Sequence, residues 1–470
     1  MVKLSGETVF QLLKNKKVSL LGFGVSHRPL AKLLSERGVP LTVYDRKSVA
    51  ELGEAASALQ SEGVTFVTGP DYLEKLSGDI IFRTPGMYFK NPRLTELRKQ
   101  GAVVTSEMEL FFECCPCPII AVTGSDGKTT TTTLISEMLK AAGHRVHLGG
   151  NIGKALFPEI PNIHEDDIAV AELSSFQLLS MRESPEIAVV TNVSPNHLDV
   201  HGTMEEYVGT KRNLLLHQNA FSVTVLNADN DVCEEFQTDV RGELRLFSRR
   251  HPVENGAWMD ENGQLYMSVH GEATPLLKRD EIQLPGLHNV ENFLTAVSAV
   301  WGLVPVEVIQ KVGREFMGVE HRIEFVRELD GVRWYNDSIA TSPTRTIAGL
   351  RSFGQKLILI AGGYDKDLDY TPLGGPIIEG VKVLILMGAT SEKIRRAVEG
   401  AEGYASSGIR IIDAESMQEA VAIAQREACS GDIVTLSPAS ASFDRYPNFE
   451  VRGEHYKALV NTLTSLDEGR

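Results

Sequence analysis

Ile119-Ile120-Ala121-Val122-Thr123-Gly124-Ser125-Asp126-Gly127-Lys128-Thr129-Thr130 passes from an unbroken apolar run, through a glycine-bearing turn, into a helical pattern that continues past Met138 and closes at Gly143. Strand, glycine-rich loop and helix in that order make a phosphate cradle. Glycines let backbone N–H groups converge on phosphate oxygens, and the helix N-terminus adds positive potential. Lys128 is then placed to bridge the outer phosphates, and the Thr129 hydroxyl to meet Mg2+. β-Branched residues form helices poorly, so the run Thr129–Thr133 is better explained by hydroxyl chemistry than by propensity. The general pattern puts a first glycine where Val122 stands, which makes this loop a variant. A chance Gly-Lys-Thr in a surface turn is the plain alternative; the flanking strand and helix argue against it.

Outward from this loop the chain alternates short apolar runs with helical patterns. Upstream lie Val18–Leu21, Leu41–Tyr44, Asp79–Phe82 and Ala102–Thr105, and the stretch Cys114–Pro118 interrupts them like a linker. Downstream lie Ile168–Leu173, Ile187–Asn192 and Val223–Asn227, then after Gly318 the runs Arg333–Asn336, Leu357–Ala361, Val381–Met387 and Asp432–Ser437. Alternation of this kind implies α/β folding with parallel sheets. Three domains are expected: a Rossmann-like domain over 1–113, a central P-loop ATPase-type parallel sheet over 114–318 and a second Rossmann-like domain over 319–470.

A length of 470 residues is too much for one compact core, in keeping with that division. The net charge, −15 from 47 basic and 62 acidic residues, opposes binding to nucleic acid or to an anionic membrane surface, so an anionic ligand must be met by local donors. No run approaches the roughly 18 apolar residues of a spanning helix, and the first 17 residues lack an apolar leader. A cytoplasmic chain without membrane insertion is expected. Five cysteines, three bunched at 114, 115 and 117, form no framework, so no disulfide is expected, and no second pair completes a zinc site.

Two further segments bear on the same chemistry. Glu172 closes an apolar run ahead of Ser174-Ser175-Phe176-Gln177, where a metal-holding acid belongs in a P-loop sheet. Asn192 to His201 carries His197, Asp199 and His201; alone it reads as a zinc site or a polar loop, and next to the other two loops it reads as metal–phosphate chemistry. Gly22-Phe23-Gly24 with Asp45 imitates a dinucleotide fingerprint, but His27 fills the third glycine position, where a side chain obstructs close helix-to-strand approach.

With these residues in view, the chain resembles the Mur ligase family across all three domains. The resemblance rests on the loop 123–129 and on Gly149-Gly150-Asn151-Ile152-Gly153, Glu172–Gln177, Asn196-His197-Leu198-Asp199 and Gly286–Asn292. In the last domain it rests on His321-Arg322, Asn336-Asp337-Ser338, Gly362-Gly363 with Lys366, Leu436–Asp444 and Asn448–Gly453; the closing blocks resemble the D-glutamate-adding branch. The resemblance implies an ATP-dependent, ADP-forming amide synthesis through an acyl phosphate, joining D-glutamate to UDP-N-acetylmuramoyl-L-alanine in peptidoglycan precursor synthesis, by a monomer.

Roles carried over by resemblance fall on named positions. Gly124, Ser125, Asp126, Gly127, Lys128, Thr129, Thr130, Asn289, Asn292, Arg322 and Asp337 would bind ATP. Thr129, Glu172, His197 and Lys211 would hold two Mg2+ ions, with Mn2+ as an alternative, and Lys128, His197 and Lys211 would serve catalysis. Lys211, which the sequence by itself reads as a solvated helix lysine, matches the family lysine that is carbamylated. Gly24, Ser26, Asp45, Thr84 and Gly86 would line the UDP site; Asn151 and Ser174 would touch the muramoyl part; Thr341, Lys366, Ser442 and Phe449 would hold D-glutamate.

Two departures stand out. Ile339 replaces a lysine of the family pattern, and Arg345 is the expected substitute cation. His27-Arg28 replaces smaller residues near the UDP site. A nicotinamide-dependent dehydrogenase would use Gly22–Asp45 but leave Lys128, Glu172 and Lys211 idle. Sister ligases, L-alanine-adding or folylpolyglutamate-type, share the central motifs but not the closing blocks.

Overall fold

A computed structural model of the chain describes residues 4–195, 201–284 and 286–465. These fall into two compact units, one spanning 1–282 with 288–315 and the other 283–287 with 316–470. The first unit contains two sheets and the second contains one.

The first sheet comprises β1 (Val18–Leu21), β2 (Leu41–Asp45), β3 (Thr65–Thr68), β4 (Ile80–Arg83) and β5 (Val103–Thr105), in the order β3-β2-β1-β4-β5. All its pairings are parallel. The strand order reverses between β1 and β4, so a crevice opens at their carboxyl ends, where ligands of such sheets bind.

The second sheet holds β6 (Ile119–Thr123), β7 (Val146–Gly150), β8 (Ile168–Glu172), β9 (Ile187–Val190), β10 (Val223–Asn227), β11 (Glu243–Ser248), β12 (Gly256–Met259), β13 (Gln264–Val269) and β14 (Glu272–Lys278). Its order is β14-β13-β12-β11-β10-β9-β6-β8-β7. β6 and β8 are buried at every residue, as strands covered on both faces must be. Parallel pairing runs from β7 to β12, after which β13 and β14 turn back antiparallel. That antiparallel hairpin edge is absent from the sequence reading, because its strands are partly exposed and not separated by helices.

The second unit's sheet holds β15 (Glu324–Leu329), β16 (Val332–Asn336), β17 (Leu357–Ala361), β18 (Val381–Leu386), β19 (Arg410–Asp413) and β20 (Ile433–Leu436), in the order β15-β16-β20-β17-β18-β19. It is parallel except for the β15–β16 hairpin. The α/β class with parallel sheets is thus as expected, with antiparallel strands added only at edges.

Cys114, Cys115 and Cys117 are buried in the core that the first two sheets share. The stretch is therefore no exposed tether: cysteine packs there as a small apolar residue. All five cysteines remain thiols.

Candidate active site

The phosphate loop leaves the carboxyl end of β6, between β8 and β9, and enters the helix Lys128–Ala141. Glycine is required at two points. Gly124 has φ +148°, and a Cβ there would lie 1.9 Å from Thr191 Oγ1; Gly127 has φ +77°, and its Cβ would lie 2.2 Å from Asn292 Oδ1. The loop is braced by the segment after β9. Asn192 O accepts from Ser125 N–H (2.8 Å), Asn192 Oδ1 from Asp126 N–H (3.0 Å), and Thr191 Oγ1 donates to Asp126 O (2.6 Å). The Lys128 ammonium folds back on the loop, donating to Gly124 O (2.9 Å) and Ser125 O (2.8 Å).

Only part of the threonine run serves the site. Thr129 Oγ1 donates to Glu172 Oε2 at 2.7 Å. Thr132 and Thr133 instead donate to the carbonyls of Lys128 and Thr129, four residues back. Those bonds satisfy hydroxyls within the helix, so propensity is offset by back-bonding rather than by ligand chemistry.

Glu172, 1% exposed, also accepts from Asn151 Nδ2 at 2.8 Å. Its two side-chain hydrogen bonds come from a hydroxyl and a carboxamide, both neutral. A buried carboxylate with neutral partners, beside a threonine hydroxyl at the foot of a phosphate loop, fits a hard divalent cation such as Mg2+. Ser174 follows two residues later and caps the short helix Ser175–Leu178 through a reciprocal pair with Gln177.

Lys211 is not the solvated lysine that the sequence alone suggests. It lies 1% exposed on the helix Met204–Arg212, donating to Gly124 O at 2.7 Å and sitting 4.7 Å from the Tyr207 ring centroid. Burial first, and the neighbouring Lys128 second, push its ammonium down to about 7. Tyr207 joins in through its hydroxyl, 3.0 Å from Ser125 Oγ. His201 lies 2.9 Å from Ser175 Oγ and stacks on Phe176. His197, with Asn196, Leu198 and Asp199, lies outside the described residues.

Asn289 and Asn292 sit on the helix Leu287–Val300 and bond each other, Asn292 Nδ2 to Asn289 Oδ1 at 3.1 Å. Asn292 Oδ1 also accepts from Thr131 Oγ1 at 3.4 Å, so this asparagine braces the phosphate loop from behind.

At the first sheet, Gly24, Asp45, Thr84 and Gly86 gather at or just beyond the carboxyl ends of β1, β2 and β4. Asp45 Oδ2 accepts from Phe23 N–H at 2.7 Å, and Ser26 precedes the helix His27–Glu36. His27 is fully buried, with Nδ1 2.8 Å from Gly22 O. Burial holds its pKa down to about 4, so the ring is neutral. The imidazole therefore fills the space that a third glycine leaves open in a dinucleotide fold.

In the second unit, Asp337 is buried at the end of β16, accepting from Ser437 Oγ (2.7 Å) and Ile323 N–H (3.3 Å). Burial pushes its carboxyl up to about 7. Arg322, whose charge acts on Asp337, and Thr341 are half-buried, and Ser442 is buried. The Lys366 ammonium is 5.7 Å from the Phe443 ring centroid. Arg345 Nη1 donates to Ile339 O at 3.1 Å, which brings its guanidinium to the residue that lacks the expected lysine. Phe449 O accepts from Ser338 Oγ at 2.8 Å.

Arg452, quoted in the closing motif but given no task by the sequence, proves central to this unit. Buried, it donates to Ser338 Oγ and O and to Ser440 O and Ala441 O, tying the loop after β20 to the loop after β16. Glu320, His321 and Glu454 also converge. The Lys457 ammonium already occupies that cluster, 2.7 Å from Glu320, 3.0 Å from Glu324 and 2.8 Å from Glu454.

A phosphate loop on an interior strand of a mainly parallel sheet, with a buried carboxylate beneath it and a buried low-pKa lysine beside it, marks a nucleotide-dependent phosphoryl-transfer enzyme. Comparison with known proteins narrows that class. Residues 122–300 match the Mur ligase middle domain and residues 321–440 the Mur ligase, glutamate ligase domain. A UDP-N-acetylmuramoylalanine–D-glutamate ligase of Acetivibrio thermocellus is 50% identical over 454 residues, 96% of this chain and 97% of that one. One from Clostridium acetobutylicum is 47% identical over 456 residues, 96% and 98% of the two chains. Among solved structures, the UDP-N-acetylmuramate–alanine ligase of Thermotoga maritima shares the fold at a TM-score of 0.57 and 15% identity, covering 95% of this chain and 99% of that one. The chain belongs to the Mur ligase family.

Proposed function

We propose that this chain joins D-glutamate to UDP-N-acetylmuramoyl-L-alanine at the expense of ATP, the step that adds D-glutamate during cytoplasmic peptidoglycan precursor synthesis. The observation that carries this reading is the 50% identity, over 96% of the chain, to a ligase of that name. No described helix is long and apolar enough to cross a membrane, in keeping with a reaction on water-soluble substrates.

The chemistry runs in two displacements. A carboxylate oxygen of the lactyl-alanine arm attacks the γ-phosphorus of ATP, and ADP leaves with the bridging oxygen. The D-glutamate nitrogen then attacks the acyl carbon, phosphate departs with the oxygen it received, and the nitrogen loses a proton. Most of the work is positioning and charge neutralisation. Lys128, now folded on the loop carbonyls, swings to the outer phosphates, and the loop N–H groups from Gly124 to Thr130 cradle them. Thr129 and Glu172 would hold Mg2+, and His197 with a carbamylated Lys211 would hold a second ion; Mn2+ is the alternative metal. When bound, the metal withdraws charge from the phosphate oxygens.

Lys211 is proposed as a carbamate. An amine with a pKa near 7 is about half neutral at pH 7, where an ordinary lysine is almost wholly protonated, and only the neutral amine adds to CO2. Carbamylation would turn a buried cation, which repels Lys128, into an anion that suits a metal. Asn289, Asn292, Arg322 and Asp337 complete the ATP site. Gly24, Ser26, Asp45, Thr84 and Gly86 take the UDP group, Asn151 and Ser174 the muramoyl arm, and Thr341, Lys366, Ser442 and Phe449 the D-glutamate. The functional division is 1–113, 114–318 and 319–470, in a monomer.

Labelling the substrate carboxylate with 18O tests the route. The acyl-phosphate path delivers one labelled oxygen to the released phosphate per turnover. Unlabelled phosphate alongside amide product would overturn it.

A further inference from the structure

The strand β4 ends in Arg83, which no motif singles out. Its side chain is nevertheless 1% exposed, in front of Thr84 and Gly86. A buried arginine needs partners for most of its five donors, and the choice of partners shows what it holds together.

On its own side, Nη1 donates to Met87 O at 3.3 Å, and the guanidinium carbon lies 5.5 Å from the Phe89 ring centroid. Both contacts are to the loop that β4 feeds, a loop closed by Met87 N–H on Thr84 O. On the other side, Nη2 donates to Phe176 O at 3.0 Å and to Ser180 Oγ at 2.6 Å. These atoms belong to the segment that begins at Glu172 and Ser174, in the second sheet's layer. Ser180 Oγ in turn donates to Glu109 Oε2 at 3.0 Å, which fixes the hydroxyl's orientation. The same loop is tied again further on, where Tyr88 Oη and the Lys90 ammonium reach Glu206 Oε1 at 2.7 and 2.6 Å. Glu206 lies on the helix that carries Tyr207 and Lys211.

We infer that Arg83 is a positioning residue for the nucleotide-sugar substrate, setting the distance between the loop at Thr84–Gly86 and the segment at Ser174. The inference rests on the functional reading above, since it assigns the two ends of one substrate to those two segments. A substrate gripped at the uridine diphosphate end by one sheet and at the muramoyl end by another is presented to the phosphate loop only if the two grips keep their spacing. Arg83 bonds backbone or side-chain oxygens on both sides of that gap from a single planar group, a geometry that lysine cannot reproduce. Among the described residues its Nε has no hydrogen-bond partner.

The test compares wild type with Arg83→Met, Arg83→Lys and Ser180→Ala, measuring all three Michaelis constants and kcat. Expected is a rise of about 10-fold or more in KM for UDP-N-acetylmuramoyl-L-alanine in both Arg83 variants, with KM for ATP and D-glutamate within about twofold. Ser180→Ala, which keeps the arginine, gives a smaller rise of about threefold in the same constant. A purely structural role would lower the melting temperature and the active fraction, hence kcat, and leave every KM unchanged; that pattern overturns the inference. If the Arg83 variants fail to fold, Ser180→Ala decides alone, and an unchanged nucleotide-sugar KM counts against Arg83. An active wild type with unaltered variants sinks the Arg83 role by itself, whereas a wild type without turnover sinks the functional reading and this inference together.

Discussion

Replacing Gly127 by alanine strikes the phosphate loop without touching any charged group. At φ +77° a Cβ is strained by about 1 kcal/mol, whatever the space around it. The space is also occupied, because the new carbon would lie 2.2 Å from Asn292 Oδ1. Asn292 is buried and holds Asn289 and Thr131 through hydrogen bonds, so moving it sacrifices about 1–3 kcal/mol of buried pairing. Together these come to about 2–4 kcal/mol, which is less than the stability of an ordinary domain, so the fold survives and the loop distorts. If the loop absorbs the strain, affinity for a non-hydrolysable ATP analogue falls on the order of 10²-fold, at 1.4 kcal/mol per factor of ten. Calorimetric titration reads that loss, and a thermal scan of the same sample reads the remainder as a drop of a few degrees. Adding Asn292→Ala removes the collision but not the backbone strain, so the double variant should melt higher than the sum of the two single changes predicts. Wild-type affinity and melting temperature in Gly127→Ala would refute the reasoning.

Other perturbations test separate parts of the account. Lys211→Ala should lose most activity, with partial recovery on adding a small carboxylate such as formate; turnover equal to wild type would remove Lys211 from the mechanism. Arg345→Ala should raise the KM for ATP or D-glutamate about 10-fold if this arginine replaces the missing cation at Ile339, and unaltered constants and kcat would dismiss it. Glu107, fully buried and accepting from Phe157 N–H, keeps its proton to about pH 7, because burial opposes its charge. Between the ordinary value of 4.5 and 7 the unfolded chain releases a proton that the folded chain retains. Stability is thus fullest below the lower value and falls by up to about 3 kcal/mol as pH rises through the upper one. Glu107→Gln should flatten that slope, matching wild type near pH 5 and melting higher near pH 8; identical profiles would contradict the assignment.

The parts of the site readable in advance are those in which one short segment does the whole task. The loop 124–129 combines strand, glycines, lysine and threonine within a dozen residues, so its geometry follows from local rules. Glu172 was legible for a similar reason, as an acid ending an apolar strand. Lys211 was legible only by resemblance, because nothing in Met204–Arg212 marks that lysine as buried; its ammonium meets the Gly124 carbonyl, 87 residues away in the chain. Arg83, Tyr207 and Arg452 were passed over because each acts on oxygens from 4 to more than 100 residues away, a property of tertiary packing that local pattern does not encode. The hairpin strands β12 to β15 were missed because hairpins lack the helix spacing that makes parallel strands conspicuous, and the parallel strands β3, β7, β11 and β19 because polar residues or glycines break their apolar runs. His27 shows the reverse case. The sequence marked it as an obstruction, and the structure accommodates it as a neutral ring beneath the turn.

The most direct measurement is ADP release by the purified chain with ATP, Mg2+ and UDP-N-acetylmuramoyl-L-alanine, across a panel of amino acids. D-glutamate alone should support turnover. No ADP with the complete mixture, or equal rates with L-alanine, a diamino acid or L-glutamate, would contradict the account.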